Sequence, residues 1–285
     1  MKPKIFVNVI LLSLLVISSL SCNKYLDLQP QDGIIRQEFW KTKEQVQSAV
    51  IGCYASLLSD PANKERPVSE YLFTWGELRA DMVGSAIGAS SDDLDIFNVN
   101  TLSTNTDVNW VSIYKTINYC NTVIDFAPGV LVNDNTFTQQ QLNQYLAEAR
   151  ALRGLMYFYL VRSFRDVPLK LTSTSSDVDL VQLPKTSSDT ILTQIVADLA
   201  FADSNAVFTY GNATTIDKGR ITKYTVKSIQ ADVFLWMDRY SDALDACQFV
   251  IDSKKSERRM ALIVEETSHG GLTNKVNRPN RGPNV

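Results

Sequence analysis

The chain has 285 residues, 45% of them apolar and 21% charged. That supports one large packed domain or two ordinary ones and rules out wholesale disorder. The net charge of -3 runs against the basic balance of nucleic-acid binders, and a single histidine, His269, argues against a Ser-His-Asp triad, a Cys-His pair or a His-ligated zinc.

Residues 1–21 read as an export signal. Lys2 and Lys4 precede an apolar run from Ile5 to Val16, shorter than the ~20 residues of a membrane span, and small residues lead to Cys22. A signal that stops directly before a cysteine resembles that of bacterial lipoproteins, in which the Cys thiol carries a diacylglycerol. Ser19 stands where the lipoprotein box usually has Leu, with Leu20 one place late. An ordinary secretory signal with an incidental Cys is the competing reading.

From Thr42 onward the apolar residues recur at three and four. Thr42 with Gln45 opens a helix whose stripe is Val46, Ala49, Val50, Cys53, Tyr54 and Leu57. Pro61 and Pro67 bracket a loop. Leu94 to Val99 is the one short strand candidate. Trp110, Ile113, Tyr114, Ile117, Asn121 and Ile124 form a second helix that Pro128-Gly129 should stop. Thr138 with Gln141 opens a third, apolar nearly all round, running to Asp166-Val167-Pro168. A loop from Thr172 to Ser188 precedes a fourth helix through Ile191, Ile195 and Leu199, and Gly211 to Gly219 reads as a second loop.

Thr222 opens a fifth helix through Trp236. A turn at Asp238-Arg239-Tyr240 and a Ser241 cap lead to a sixth with Ala243, Leu244, Cys247, Val250 and Ile251 inward. The fold expected is all-α, an irregular array of tetratricopeptide-like helical hairpins joined by long loops, without a strict repeat period. Cys53, Cys120 and Cys247 each fall among apolar residues and read as buried free thiols rather than a disulfide framework.

The pattern breaks near residue 253. Residues 253–285 carry seven Lys/Arg against three Glu, while residues 1–252 carry 21 basic and 28 acidic side chains. Only Met260 to Val264 offers an apolar run. The tail reads as foreign to the fold, with a basic interaction tail or a divergent terminal helix as rival readings. The organisation expected is a lipoprotein signal over 1–21, a helical domain over 22–252 and a basic tail over 253–285. The last hairpin should then be partly uncovered and the chain marginally stable.

Five pieces in order resemble the SusD/RagB family of outer-membrane nutrient-binding lipoproteins of Bacteroidetes. They are Cys22-Asn23-Lys24-Tyr25-Leu26-Asp27 with Gln29-Pro30; Trp110 through Tyr114-Lys115-Thr116-Ile117 and Cys120-Asn121-Thr122-Val123-Ile124; and Ala147-Glu148-Ala149-Arg150-Ala151-Leu152-Arg153-Gly154-Leu155 with Asp166-Val167-Pro168. Gly219-Arg220-Ile221-Thr222-Lys223 and the Trp236 to Ala243 hairpin complete them. The chain departs at Arg165, where the family usually has Gly before the turn, at Ala151, and in length. The resemblance implies a non-catalytic surface lipoprotein that binds oligosaccharide and hands it to a SusC-type TonB-dependent transporter. It implies no enzyme activity, cofactor, metal or nucleic acid. An oligopeptide binder of the same family and a helical scaffold without small-molecule cargo are the alternatives.

Trp75, Glu77, Arg79 and Asp81 form the candidate ligand patch, because guanidinium and carboxylates suit vicinal diols and a ring suits the apolar face of a sugar. A salt bridge that only holds the loop is the competing reading. Asp92, Asp93 and Asp95 read as a solvated acidic loop, since neither the paired carboxylates of a glycosidase nor a calcium loop is recognisable there. Glu148 should pair with a nearby Arg beside the core, and Asn118 and Asn121 should hydrogen-bond backbone, with solvent exposure the alternative for Asn118.

Overall fold

A computed structural model describes residues 39–58, 66–78, 80, 83–174, 182–211 and 214–253. The signal at 1–21, Cys22, the Tyr25–Pro30 opening, Arg79, Asp81 and the tail from 254 lie outside the described residues. The chain divides into Met1–Lys41 and Thr42–Val285. Of the first unit only residues 39–41 are described: a turn in which the Lys41 amide donates to the Phe39 carbonyl at 3.1 Å.

The second unit is helical. In chain order it contains α1 (Lys43–Leu58), α2 (Val68–Gly76), α3 (Ser91–Phe97), α4 (Val111–Asn133) and α5 (Gln139–Phe164). Strands β1 (Val167–Pro168) and β2 (Lys185–Thr186) follow, then α6 (Ser188–Asn205), α7 (Thr214–Gly219), α8 (Lys223–Trp236) and a last helix, α9, over 240–253. Three of the expected caps are present. Thr42 and Gln45 exchange hydrogen bonds at the start of α1, and Thr138 with Gln141 and Thr222 with Thr225 form capping boxes on α5 and α8. Each satisfies helix-end amides that would otherwise lack partners.

The helices pack as a series: α1 on α4 and α5, α4 on α5, α5 on α6, and α6 on α8. That is the tetratricopeptide-like arrangement of hairpins expected. Ile113, Ile117, Leu152, Met156, Leu160, Ile191, Ile195 and Leu199 are each at most 2% exposed. A buried side chain of this size contributes about 1.5–3 kcal/mol relative to exposure. α5 lies at the centre and, as its pattern predicted, is buried nearly all round.

Two buried polar networks lock α5 to its neighbours. Arg153 donates to both oxygens of Asp198 on α6 (2.8 and 2.7 Å), and its remaining nitrogen reaches Asn121 Oδ1 on α4 at 2.8 Å. Glu148 takes a bidentate bond from Arg220 (2.9 and 2.6 Å) and a third from the Tyr54 hydroxyl at 2.6 Å. Burial and the adjoining Glu148 carboxylate push the Tyr54 phenol far above its ordinary range. The arginine that Glu148 meets is thus 72 residues away and not on its own helix. Arg150 instead lays its guanidinium over the Phe201 ring, 4.2 Å from its centroid. Asn118 and Asn121 bond backbone as expected, at Thr174, Lys170 and Thr172.

Several expectations are corrected. Leu94 to Val99 is not a strand: residues 91–97 are helical because Ser90 accepts the Asp93 amide at 3.0 Å and the acidic first turn favours a helix start. Pro128 does not stop α4, which continues to Asn133. Pro128 is exposed, so water can serve the carbonyl it frees, while Ala127 and Val130 on the opposite side are fully buried. Helix α2 (Val68–Gly76) follows Pro67, where the sequence reading assigned no element. The Gly211 to Gly219 loop contains α7, and the Thr172 to Ser188 loop contains β2, paired antiparallel with β1. In α9 the inward residues are Ala243 and Ala246. Leu244, Cys247 and Ile251 are exposed, because the side that α9 turns inward carries the two alanines with half-buried Phe249, stacked on Phe208 at 6.4 Å between centroids, and half-buried Val250. The helix begins at 240, so Ser241 lies inside it and its Arg239 carbonyl accepts the first amide, from Ala243. Cys53 and Cys120 are buried free thiols; Cys247 is free but exposed.

Candidate functional site

The segment 66–110 is short of apolar periodicity, and polar contacts hold it in place. Pro67 stands at the start of α2 with φ −58°, and Val68, Tyr71 and Thr74 face inward. One arginine organises what surrounds the helix. Arg66 donates from Nε to Asp107 at 2.9 Å and from Nη1 to Asp93 at 3.2 Å, and Glu70 lies 3.4 Å away. Asp92 accepts the Thr106 amide at 3.1 Å and the Thr106 hydroxyl, while Asn105 donates to the Asp92 carbonyl at 2.9 Å. The loop after α3 is thereby folded back on the helix start. The acidic cluster is a set of caps and ties rather than a solvated loop. Among the described residues no three His, Cys, Asp or Glu side chains are placed to hold a metal ion.

The carboxylates here are pushed apart. Burial raises Asp107, with Arg66 only partly offsetting it, and one of its oxygens, Oδ2, is buried without a partner. At Asp93 burial works against the charge as well, but hydrogen bonds from Ser90 and Arg66 prevail and hold it below the usual carboxylate range.

The predicted patch is distributed as follows. Trp75 is half-buried. Its indole N–H donates to the Asp107 carbonyl at 2.9 Å, and its ring packs on Tyr71 and edge-on against Phe164 of α5, with centroids 5.3 and 5.1 Å apart. Glu77 is exposed at the end of α2, where its amide donates to the Phe73 carbonyl. Arg79 and Asp81 fall outside the described residues. The ring that α2 offers to solvent is Phe73, 51% exposed. It lines a groove of 280 Å³ with Arg66, Glu70, Asp93, Leu94 and Phe97. Sequence reading missed Arg66 and Phe73. The signal was the Val68, Tyr71, Thr74 spacing after Pro67, which turns position 73 outward.

This groove joins an aromatic face to a guanidinium flanked by carboxylates, a combination that can hydrogen-bond paired hydroxyls and stack on a C–H face. No described helix is long and apolar enough to cross a membrane.

Comparison with known proteins gives a consistent result. Residues 24–231 match a SusD-like family model described as starch-binding associating with outer membrane. SusD-like protein P38 of Formosa agariphila is 28% identical over 92% of this chain and 49% of its own length. A SusD superfamily protein of Bacteroides thetaiotaomicron superposes with a TM-score of 0.64 at 26% identity, over 75% of this chain and 48% of that one. A laminarin-binding SusD-like protein shares the fold with a TM-score of 0.60 at 21% identity, over 74% and 43% of the two chains. The chain spans about half the length of the curated relatives it matches first.

Proposed function

Because the chain belongs to the SusD-like family, we propose that it is a non-catalytic surface lipoprotein that captures oligosaccharide and passes it to a SusC-type TonB-dependent transporter. The observation that carries the cargo class is the α2 groove. Phe73 stands open beside Arg66, Glu70 and Asp93, and Glu77 is exposed at the end of the same helix. Arg79 and Asp81, next along the chain, complete the proposed ligand set, with Trp75 as the half-buried support of the helix end. Glucose polymers are the first cargo to consider, since the family description speaks of starch and one structural relative binds laminarin.

A hydrolase would need two carboxylates free to act as acid and base. Asp93 and Asp107 are instead committed to Arg66, which supports binding rather than turnover. Anchoring is assigned to a diacylglycerol on Cys22, with the outer membrane as the location and the cell exterior as the facing side. A second acyl chain on the new amino terminus would supply the multiple-chain attachment that stable anchoring requires.

The test is calorimetry on the mature chain from residue 22, with the lipid omitted. Laminarihexaose, maltohexaose and a mixed tripeptide set serve as probes. Binding of a glucan that falls tenfold or more in Phe73→Ala and in Asp81→Asn is expected. Peptide binding without glucan binding would move the protein to the oligopeptide branch, and binding of neither would favour a scaffold. For the anchor, a palmitate analogue should label the wild type in cells and fail to label Cys22→Ala.

A further inference from the structure

A second concave site lies at the far end of α5. The ends of α5 and α8 and the start of α6 surround a cleft of 760 Å³, within the range of about 300–1,000 Å³ typical of small-molecule sites. Its lining shares no residue with the α2 groove.

Trp236, the last residue of α8, is 49% exposed there. Its ring is held rather than loose. Phe158 meets it edge-on at 6.2 Å, and the Arg162 guanidinium lies 5.5 Å from its centroid while pairing with Asp232 at 3.2 Å. Arg165 and Asp189 also line the cleft, and neither side chain takes a hydrogen bond or ion pair from the described residues. Thr193 stands one turn beyond Asp189 on α6 and donates to its carbonyl at 2.9 Å.

Backbone strain lies at the same place. Two described non-glycine residues with positive φ border this cleft: Asp238 (φ 57°) is the left-handed cap that ends α8, the Arg239 amide donating to the Phe234 carbonyl at 2.8 Å, whereas Arg165 (φ 64°, ψ −85°) lies outside that favoured region. A glycine would take the Arg165 conformation without steric cost. Among the described residues its side chain has no hydrogen bond or ion pair to compensate for it, and strain of this kind persists chiefly where a site makes use of it.

We propose that this cleft is a second carbohydrate subsite that takes a gluco-configured pyranose. Such a ring carries its hydroxyls equatorially and presents flat C–H faces, which stack on Trp236. Its vicinal hydroxyls accept from the Arg165 guanidinium and donate to the Asp189 carboxylate. The inference rests on the glycan-binding reading above and adds a site to it.

The experiment is calorimetric titration of the full mature chain with laminarihexaose and maltohexaose, comparing wild type with Trp236→Ala, Arg165→Gly and Phe73→Ala. Two sites per chain are expected in the wild type and one in Trp236→Ala. Arg165→Gly should weaken the second site tenfold or more and yet raise the melting temperature, a pairing of effects that a merely structural arginine would not produce. It also decides the matter should Trp236→Ala fail to fold. One wild-type site, lost in Phe73→Ala and untouched by Trp236→Ala and Arg165→Gly, overturns this subsite and leaves the α2 groove standing. One site lost only in Trp236→Ala or Arg165→Gly keeps the subsite and overturns the α2 assignment. No binding of either glucan overturns both.

Discussion

Asp198 is 1% exposed; Arg153 meets both of its oxygens, and Gln194 adds a third bond at 3.2 Å. Removing one partner of such a pair strands the other charge in the core, at a cost of about 3–5 kcal/mol. That is a large share of the ~5–15 kcal/mol that stabilises a domain. Asp198→Ala should therefore unfold at much lower urea than wild type, with Asp198→Asn intermediate because it retains hydrogen bonds. Asp134 acts at the surface. One oxygen accepts the Lys43 amide at the start of α1 (2.9 Å) and the other the amide and hydroxyl of Thr136 (2.9 and 2.7 Å). The Thr136 hydroxyl first, then the two amides, hold its pKa below the usual range. A carboxyl depressed by folding adds stability above its unfolded pKa, near 4, and loses it as pH falls through the folded value. Wild type should lose this contribution below about pH 4, and Asp134→Asn should flatten that limb of the stability–pH curve. An unchanged acid limb in the variant would refute the role.

At the scale of elements, length decided what could be read. The long helices α1, α4, α5, α6 and α8 announced themselves through period 3.6, and α1, α5 and α8 also through their Thr caps. The short ones did not. α2, α3 and α7 have six to nine residues, and for pieces that small a few polar contacts outweigh the periodic signal. The Ser90 cap lies three residues from Asp93 and was there to be read, but Arg66 clamping the first turn of α3 from 27 residues away is a fact that no short window of sequence contains. The same holds for the ligand patch. Its charged residues were visible as a cluster, but choosing Phe73 over Trp75 as the open ring required knowing which way α2 turns. Gly154 in the middle of α5 invites a direct test. A Cβ built there would sit 3.7 Å from Leu199 Cγ and 3.8 Å from Ile195 Cγ2, ordinary contact distances. Gly154→Ala should stabilise the protein by about 0.5–1 kcal/mol by relieving backbone entropy in a helix interior, read as a rise in melting temperature. A loss of stability would mean that α5 and α6 are packed more tightly than these distances allow.

Across the whole molecule the helices form a series, and stability in such an array is set by each element and its immediate neighbours. α5 touches α1, α4, α6 and α8 and is tied by both buried arginine networks. At the other extreme, α9 fully buries only Ala243 and Ala246, half-buries Phe249 against Phe208, and leaves Tyr240, Leu244 and Ile251 at 63%, 65% and 47% exposure. An alanine contributes far less on burial than a leucine, so α9 has little to resist local opening. The chain should therefore unfold in a graded way. In native-state hydrogen exchange, the amides of α5 should open only with global unfolding, while those of 240–253 should exchange through a lower-energy opening that responds weakly to urea. Substituting Ala246→Leu should force α9 away and accelerate exchange in that helix alone, leaving α5 unchanged. Equal protection in α5 and α9, with the same denaturant dependence, would show instead that the array unfolds as one cooperative unit.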